Sequence, residues 1–226
     1  MLTGPEGRHA STVRRLVAGE RADVTDGRGT LAECVVTGTG RGTLELSVVA
    51  RRAEPAPDPR VVVVQAIPKG DRGEMAVEIM TEVGVDVVVP WRAERCVARW
   101  DGERAQRALG RWRATARAAA KQSRRAWFPE VTAPAATSDV AERVRAASAA
   151  ILLDSEAPDP LGSATLPRSG DIVLIVGPEG GVSPAEAAAL ARAGATSARL
   201  ALSVLRTSSA GAVAGALALS GSGRWA

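Results

Sequence analysis

From residue 61 onward this chain alternates short apolar runs with segments of helical period, and that alternation constrains its fold more than any other feature. The runs Val61–Ile67, Val85–Val89, Ile151–Leu153, Asp171–Val176 and Ser197–Leu202 predict strands. Helical segments are expected between and after them, over about Asp71–Val83, Glu103–Arg125, Asp139–Ala149, Pro184–Ala193 and Thr207–Leu219. Strands apolar on both faces must be buried on both faces. The pattern therefore predicts an α/β domain with a parallel sheet between helical layers. The stretch Ala157–Gly170, rich in Pro, Gly and Ser, reads as an irregular connection.

Ahead of this domain stands Arg51-Arg52-Ala53-Glu54-Pro55-Ala56-Pro57-Asp58-Pro59, whose alternate prolines stiffen it into an extended linker. The runs Arg21–Thr25, Leu31–Val36 and Leu44–Val49 favour β structure. They are separated by Asp26-Gly27-Arg28-Gly29 and Gly38-Thr39-Gly40-Arg41-Gly42, which read as turns. The expected organisation is a small β-rich domain over residues 1–52, a linker over 53–59 and an α/β domain over 60–226.

Several function classes fall away on composition. The chain has one His and two Cys, so metal chemistry and Ser/His/Asp chemistry would both run through His9. Cys34 and Cys96 are too far apart and too few for a disulfide framework or a zinc site. No run approaches the roughly 18 apolar residues of a membrane span, and no secretory leader is legible, so the cytosol is the default compartment. The net charge of +4 is unevenly placed: residues 92–125 hold 11 basic against 3 acidic residues. On the helix within that stretch, Ala105, Leu109, Trp112, Ala116 and Ala119 form a narrow apolar stripe. Arg104, Arg107, Arg111, Arg113, Arg117, Lys121, Arg124 and Arg125 fall outside it. Such a face is either solvated or a phosphate-contacting surface. The scarcity of acidic partners at i,i+4 favours phosphate.

Ligands of open α/β sheets bind beyond the carboxyl ends of the strands. Three such ends are distinctive here: Pro68-Lys69-Gly70-Asp71-Arg72, Gly177-Pro178-Glu179-Gly180-Gly181-Val182-Ser183-Pro184, and Ser203-Val204-Leu205-Arg206-Thr207. Glycines on both sides of a Pro-Glu pair permit close backbone approach to a ligand, and Ser183 with Pro184 is a helix start. Neither a dinucleotide fingerprint nor a P-loop is present.

In order along the chain stand Gly7-Arg8-His9-Ala10, Gln65-Ala66-Ile67-Pro68-Lys69-Gly70-Asp71-Arg72, Thr81-Glu82-Val83-Gly84-Val85, Glu94-Arg95, Gln122-Ser123-Arg124-Arg125, Val176–Ser183 and Val204-Leu205-Arg206-Thr207. Together they resemble the RsmE family of 16S ribosomal RNA uracil-N3 methyltransferases, in the SPOUT superfamily of knotted enzymes. The resemblance spans essentially the whole chain. It implies a PUA-like β-barrel, a trefoil-knotted methyltransferase domain, a homodimer, 16S ribosomal RNA as substrate, and neither metal nor membrane. S-adenosylmethionine is expected against Leu153, Val176, Gly177, Pro178, Glu179, Gly180, Gly181, Leu200, Ala201, Val204, Leu205 and Thr207. RNA is expected at His9, Arg14, Lys69, Arg72, Arg95, Arg107, Arg111, Gln122, Arg124 and Arg125. Arg206, Arg124 or Lys69 would stabilise the uracil anion, and Glu179 or Glu82 would be the base. Gly211 and Gly215 would pack at the dimer interface.

Two features depart from the family pattern. Met1 stands six residues ahead of Gly7, where the family has a further strand, so a shortened barrel is expected. Ala201 stands where a glycine is usual, and its methyl is expected to strain or crowd the cofactor loop. Two other readings follow: a diverged paralogue methylating another RNA or a small nucleoside-like molecule, and a knotted RNA-binding protein without catalysis.

Overall fold

Apolar residues on both faces of a strand need a layer on each side, and the fold supplies two. A computed structural model describes residues 1–225 and divides into two units between Ala56 and Pro57. In the second unit β4 (Arg60–Ala66), β5 (Val87–Trp91), β6 (Glu130–Val131), β7 (Ala149–Leu153), β8 (Asp171–Val176) and β9 (Thr196–Ala198) form one parallel sheet, ordered β6-β5-β4-β8-β7-β9. Helices α2 (Arg72–Val83), α3 (Gly102–Gln122) and α6 (Thr207–Gly221) pack with Val61, Val63, Ile172 and Leu174 on one face. On the other, α4 (Thr137–Ala146) and α5 (Pro184–Ala193) meet Val62, Val64, Val173 and Ile175. Each fully buried valine or isoleucine contributes about 1.5–3 kcal/mol.

The structure departs from the sequence expectations at several points. The two-residue β6 is too short to leave a pattern, and was not expected. The strand expected over Ser197–Leu202 ends at Ala198. Its only ladder is to β7, which stops at Leu153, so Leu200–Arg206 is a loop. The buried seam of α3 runs through Ala108, Trp112, Ala116, Ala119 and Ala120, with Ala105 and Leu109 only partly covered. Trp112 turns the seam, because it meets Trp100 edge-on at 5.0 Å between centroids. Finally, Gly211 and Gly215 face inward. A Cβ on Gly211 would lie 2.8 Å from Met80 Sδ, and one on Gly215 would lie 2.8 Å from a Val85 methyl. These glycines let α6 press against β4 and α2, so neither is an interface residue.

The first unit is an antiparallel meander of β1 (Arg21–Thr25), β2 (Thr30–Gly40) and β3 (Thr43–Ala53). The β2–β3 hairpin turns at Arg41-Gly42 alone, so Gly38–Gly40, read as turn, belongs to the strand. A short helix α1 (Gly4–Arg8) and a single π turn (His9–Val13) precede the sheet. Leu2 adds one bridge pair to Leu44 of β3. Ala10, Val36 and Leu44 form the small core of this unit.

Candidate active site

The chain progresses outward from β4 through β5 to β6, then returns to lay β8, β7 and β9 on the other side of β4. The order reverses between β4 and β8, and a crevice at such a reversal is where α/β sheets bind ligands. The strand ends meeting there carry Pro68-Lys69-Gly70 after β4 and Gly177–Val182 after β8. The start of α6 closes onto them. The Thr207 hydroxyl donates to the Gly177 carbonyl at 3.2 Å, and the buried Gln65 side-chain amide donates to the Thr207 carbonyl at 3.3 Å. Three segments remote in sequence are thereby bound to one another.

In the glycine turn, Gly181 has φ +75° and its N–H donates to the Pro178 carbonyl at 2.9 Å. Val176 and Pro178 are buried beneath the turn, while Glu179, Gly180 and Gly181 are exposed. Leu153, Leu200 and Leu205 are half-buried at the neighbouring strand and loop ends, and Val204 is exposed. Ala201 is exposed and has no positive φ; among described non-glycine residues only Arg15 and Arg124 do. The expected strain at Ala201 is therefore absent, because the loop takes a backbone conformation open to any residue.

Arg206 caps α6 from an extended backbone conformation, exposed and without a side-chain hydrogen bond or ion pair among the described residues. Lys69, Arg72 and Arg95 stand at this same end of the sheet. Arg95 has one N–H already committed, donating to the Gly180 carbonyl at 3.2 Å. The Arg92–Cys96 segment after β5 thus runs as a strap against the glycine turn. Burial pushes the Cys96 thiol above its ordinary value, making it a packed neutral group.

Arg124, Arg125, Gln122 and Glu82 are not brought to this site within one chain. Arg125 is a structural residue. Its guanidinium donates to the Thr81 and Val85 carbonyls at 3.0 and 2.6 Å and pairs with Asp86, all at the amino ends of the strands. Burial pulls its ionisation below the ordinary guanidinium value, and Asp86 opposes that pull. Arg124 beside it, at φ +57°, lies a strand's length from the glycine turn, about 16 Å for five residues at about 3.3 Å each. Glu82, in the last turn of α2, shares that remote end. Arg124 and Glu82 therefore cannot reach the same reacting atoms as Arg206 in a single chain. On α3, the exposed Arg107 pairs with Glu103 at 3.1 Å and Arg111 with Glu74 at 2.7 Å, so acidic partners do offset this flank. His9 and Arg14 are exposed on the first unit.

Three buried polar groups escaped sequence reasoning. Asp86 accepts from the Val61 N–H at 2.9 Å and from Arg125 and Arg224; nothing in its local sequence marks it. Gln65 opens the Gln65–Arg72 motif, but nothing there marks it as a buried link to α6. Glu186 does have a signal, because Ser183-Pro184-Ala185-Glu186 has the S-x-x-E spacing of a capping box. Among the described residues, no three His, Cys, Asp or Glu side chains group as metal ligands. No helix among them is long and apolar enough to cross a membrane.

Comparison with known proteins matches residues 54–219 to the RNA methyltransferase domain family and residues 2–49 to the RNA methyltransferase PUA domain. The ribosomal RNA small subunit methyltransferase E of Mycobacterium bovis is 49% identical over 218 residues, covering 95% of this chain and 83% of the relative. The enzyme of the same name from Bacillus subtilis is 25% identical over 217 residues, covering 92% and 85%. Among solved structures, a ribosomal RNA small subunit methyltransferase E from Neisseria gonorrhoeae bound to S-adenosyl methionine aligns with a TM-score of 0.84 at 27% identity. The alignment covers 97% of this chain and 90% of that one. A Legionella pneumophila methyltransferase structure with bound SAM gives a TM-score of 0.83 at 26% identity, with the same coverages.

Proposed function

This chain belongs to the RNA methyltransferase family, and from that membership we propose that it methylates N3 of one uridine in the 16S RNA of the small ribosomal subunit. At the coarser level it is an S-adenosylmethionine-dependent methyltransferase of small-subunit ribosomal RNA. The observation that carries the finer reading is the junction of β4, β8 and α6. There a glycine turn, an apolar border and the uncommitted Arg206 converge at a helix amino end.

The residues present fit the cofactor. A Cβ on Gly177 would lie 2.7 Å from a Val182 methyl, so this turn offers peptide groups where other residues would offer side chains. Leu153, Leu200, Val204 and Leu205 supply apolar surface beside it. When bound, the cofactor supplies a methyl group activated on a sulfonium. The rest of the task is positioning and charge control. Glu179 takes the N3 proton from its exposed place on the turn. Arg206 and the amino end of α6 stabilise the negative charge that this leaves on the carbonyl oxygens flanking N3. Arg206 and the amino end of α6 would hold that anion in place for the methyl group that the bound cofactor would supply, while Glu179 would keep the proton.

Arg107 and Arg111 hold phosphates ahead of the site by exchanging their acidic partners for RNA, and His9 and Arg14 dock RNA on the PUA-like unit. The catalytic domain is knotted and works as a homodimer in the cytoplasm. The exposed Leu202, Val204 and Val213 in and before α6 support a second copy packing there. Labelled methyl incorporation into 30S subunits, naked 16S RNA and free uridine tests this reading. We expect N3-methyluridine at one 16S position, and loss of about 10²–10³ in rate for Arg206→Ala with the fold unchanged. Methylation of another atom or of free uridine would sink the assignment. Retained turnover in Arg206→Ala would remove that residue from the mechanism.

A further inference from the structure

Glu186 lies in the first turn of α5 and is 6% exposed, yet its carboxylate has no cationic partner among the described residues. It is satisfied by neutral donors from three segments. Oε1 accepts the Glu94 N–H at 2.9 Å and the Thr137 hydroxyl at 2.8 Å, and Oε2 accepts the Ser183 N–H at 3.2 Å. Thr137 in turn accepts from Trp91 Nε1 at 3.2 Å. A helix cap alone needs only the Ser183 contact. The other two contacts reach the strap after β5 and the start of α4, and a buried carboxylate loses solvation that a cap on the surface would keep.

The strap is the element that touches the glycine turn. Arg95 follows Glu94 directly, donates to the Gly180 carbonyl, and lies so close that a Cβ on Gly180 would be 3.4 Å from its own Cβ. The turn itself is held internally by a single Gly181-to-Pro178 backbone bond. We propose that Glu186 is a positioning residue for the cofactor turn: by holding the Glu94 N–H it seats Arg95 on Gly180, so that Gly177–Val182 is already shaped before the cofactor arrives. This rests on the assignment of that turn to S-adenosylmethionine. Glu186 touches neither cofactor nor substrate, and its effect is carried through Glu94 and Arg95.

Glu186→Gln keeps the volume but removes the charge: even with its oxygen turned to the Glu94 N–H and the Thr137 hydroxyl, a neutral amide holds that N–H more weakly than a carboxylate does, and the Ser183 N–H then faces an N–H₂ group. The expected result is a rise of about tenfold in the calorimetric Kd and in KM for S-adenosylmethionine, with kcat within about twofold. In the cofactor-free protein, backbone amides of 179–182 should exchange faster. Arg95→Ala should raise the same Kd, and the double variant should be no worse than Glu186→Gln alone, since both interrupt one connection. A lowered melting temperature with Kd and loop exchange unchanged would make Glu186 an ordinary helix cap and overturn the proposal. Should Glu186→Gln fail to fold, Glu186→Asp decides: its shorter side chain keeps the charge but draws back from the Glu94 N–H, so a raised Kd with faster exchange at 179–182 supports the proposal, and an unchanged Kd overturns it. A wild-type chain that fails to bind S-adenosylmethionine would overturn the cofactor assignment itself. Wild-type binding with indifferent variants sinks only the role of Glu186.

Discussion

The α/β unit buries a carboxylate at each end of its sheet, and the two are held in opposite ways. Asp86, at the amino ends of the strands, lies between two arginines, Arg125 and Arg224, with side-chain exposures of 6%, 12% and 21%. Glu186, at the carboxyl ends, is held by two backbone N–H groups and a hydroxyl. Ion pairs suit the remote end, where one buried carboxylate joins β4 to Arg125 beyond α3 and to Arg224 beyond α6. Neutral donors suit the site end, because two of them are backbone N–H groups of the strap and of the α5 start, so the carboxylate fixes main chain rather than a mobile side chain. The same chemical group thus ties strands together at one end of the sheet and caps α5 at the other.

Asp86→Ala should break this comparison most severely. It leaves the half-buried Arg125 and Arg224 without their counter-charge, at a cost of about 3 kcal/mol in denaturant unfolding. Cofactor affinity of the folded fraction should be unchanged, and a large loss of affinity would show that the two ends are not independent. Ser183→Ala removes only the hydroxyl that accepts the Glu186 N–H at 3.3 Å; the Ser183 N–H still meets Glu186. A loss of about 1 kcal/mol with little change in cofactor affinity is expected. An affinity loss matching that of Glu186→Gln would instead place the effect in the cap.

The smallest stability effect separates buried from exposed arginines on and after α3. Arg107→Ala, at an ion pair whose arginine side chain is 67% exposed, should change stability by less than about 1 kcal/mol. It should nevertheless reduce the slope of log affinity for RNA against log salt by about one. An unchanged slope would assign that flank of the helix to solvent.

Much of this molecule is legible in its sequence, because period and composition are local properties. Valines on consecutive positions of β4 cannot be anything but doubly buried, and Ser183-Pro184 marks the start of α5 without reference to the rest of the chain. The glycine turn is likewise legible as a strand-end loop, whereas the role of Arg206 comes from the resemblance to the family. Arg125 and Arg107 were not separable in this way: both fall outside the apolar stripe, and only the position of α3 against α2 and β5 buries one and exposes the other. The inward faces of Gly211 and Gly215 depend likewise on where Met80 and Val85 lie.

By itself, then, the sequence determined the layers, the strand-end loops and the family to which the chain belongs. Tertiary structure alone decided which charges are structural and which remain available. The contacts that decide it join Glu94 to Glu186 across 92 residues and Asp86 to Arg224 across 138. A carboxylate's role is set by whether cations or neutral donors close around it. No local pattern records partners that meet only when the sheet has brought distant segments to the same end.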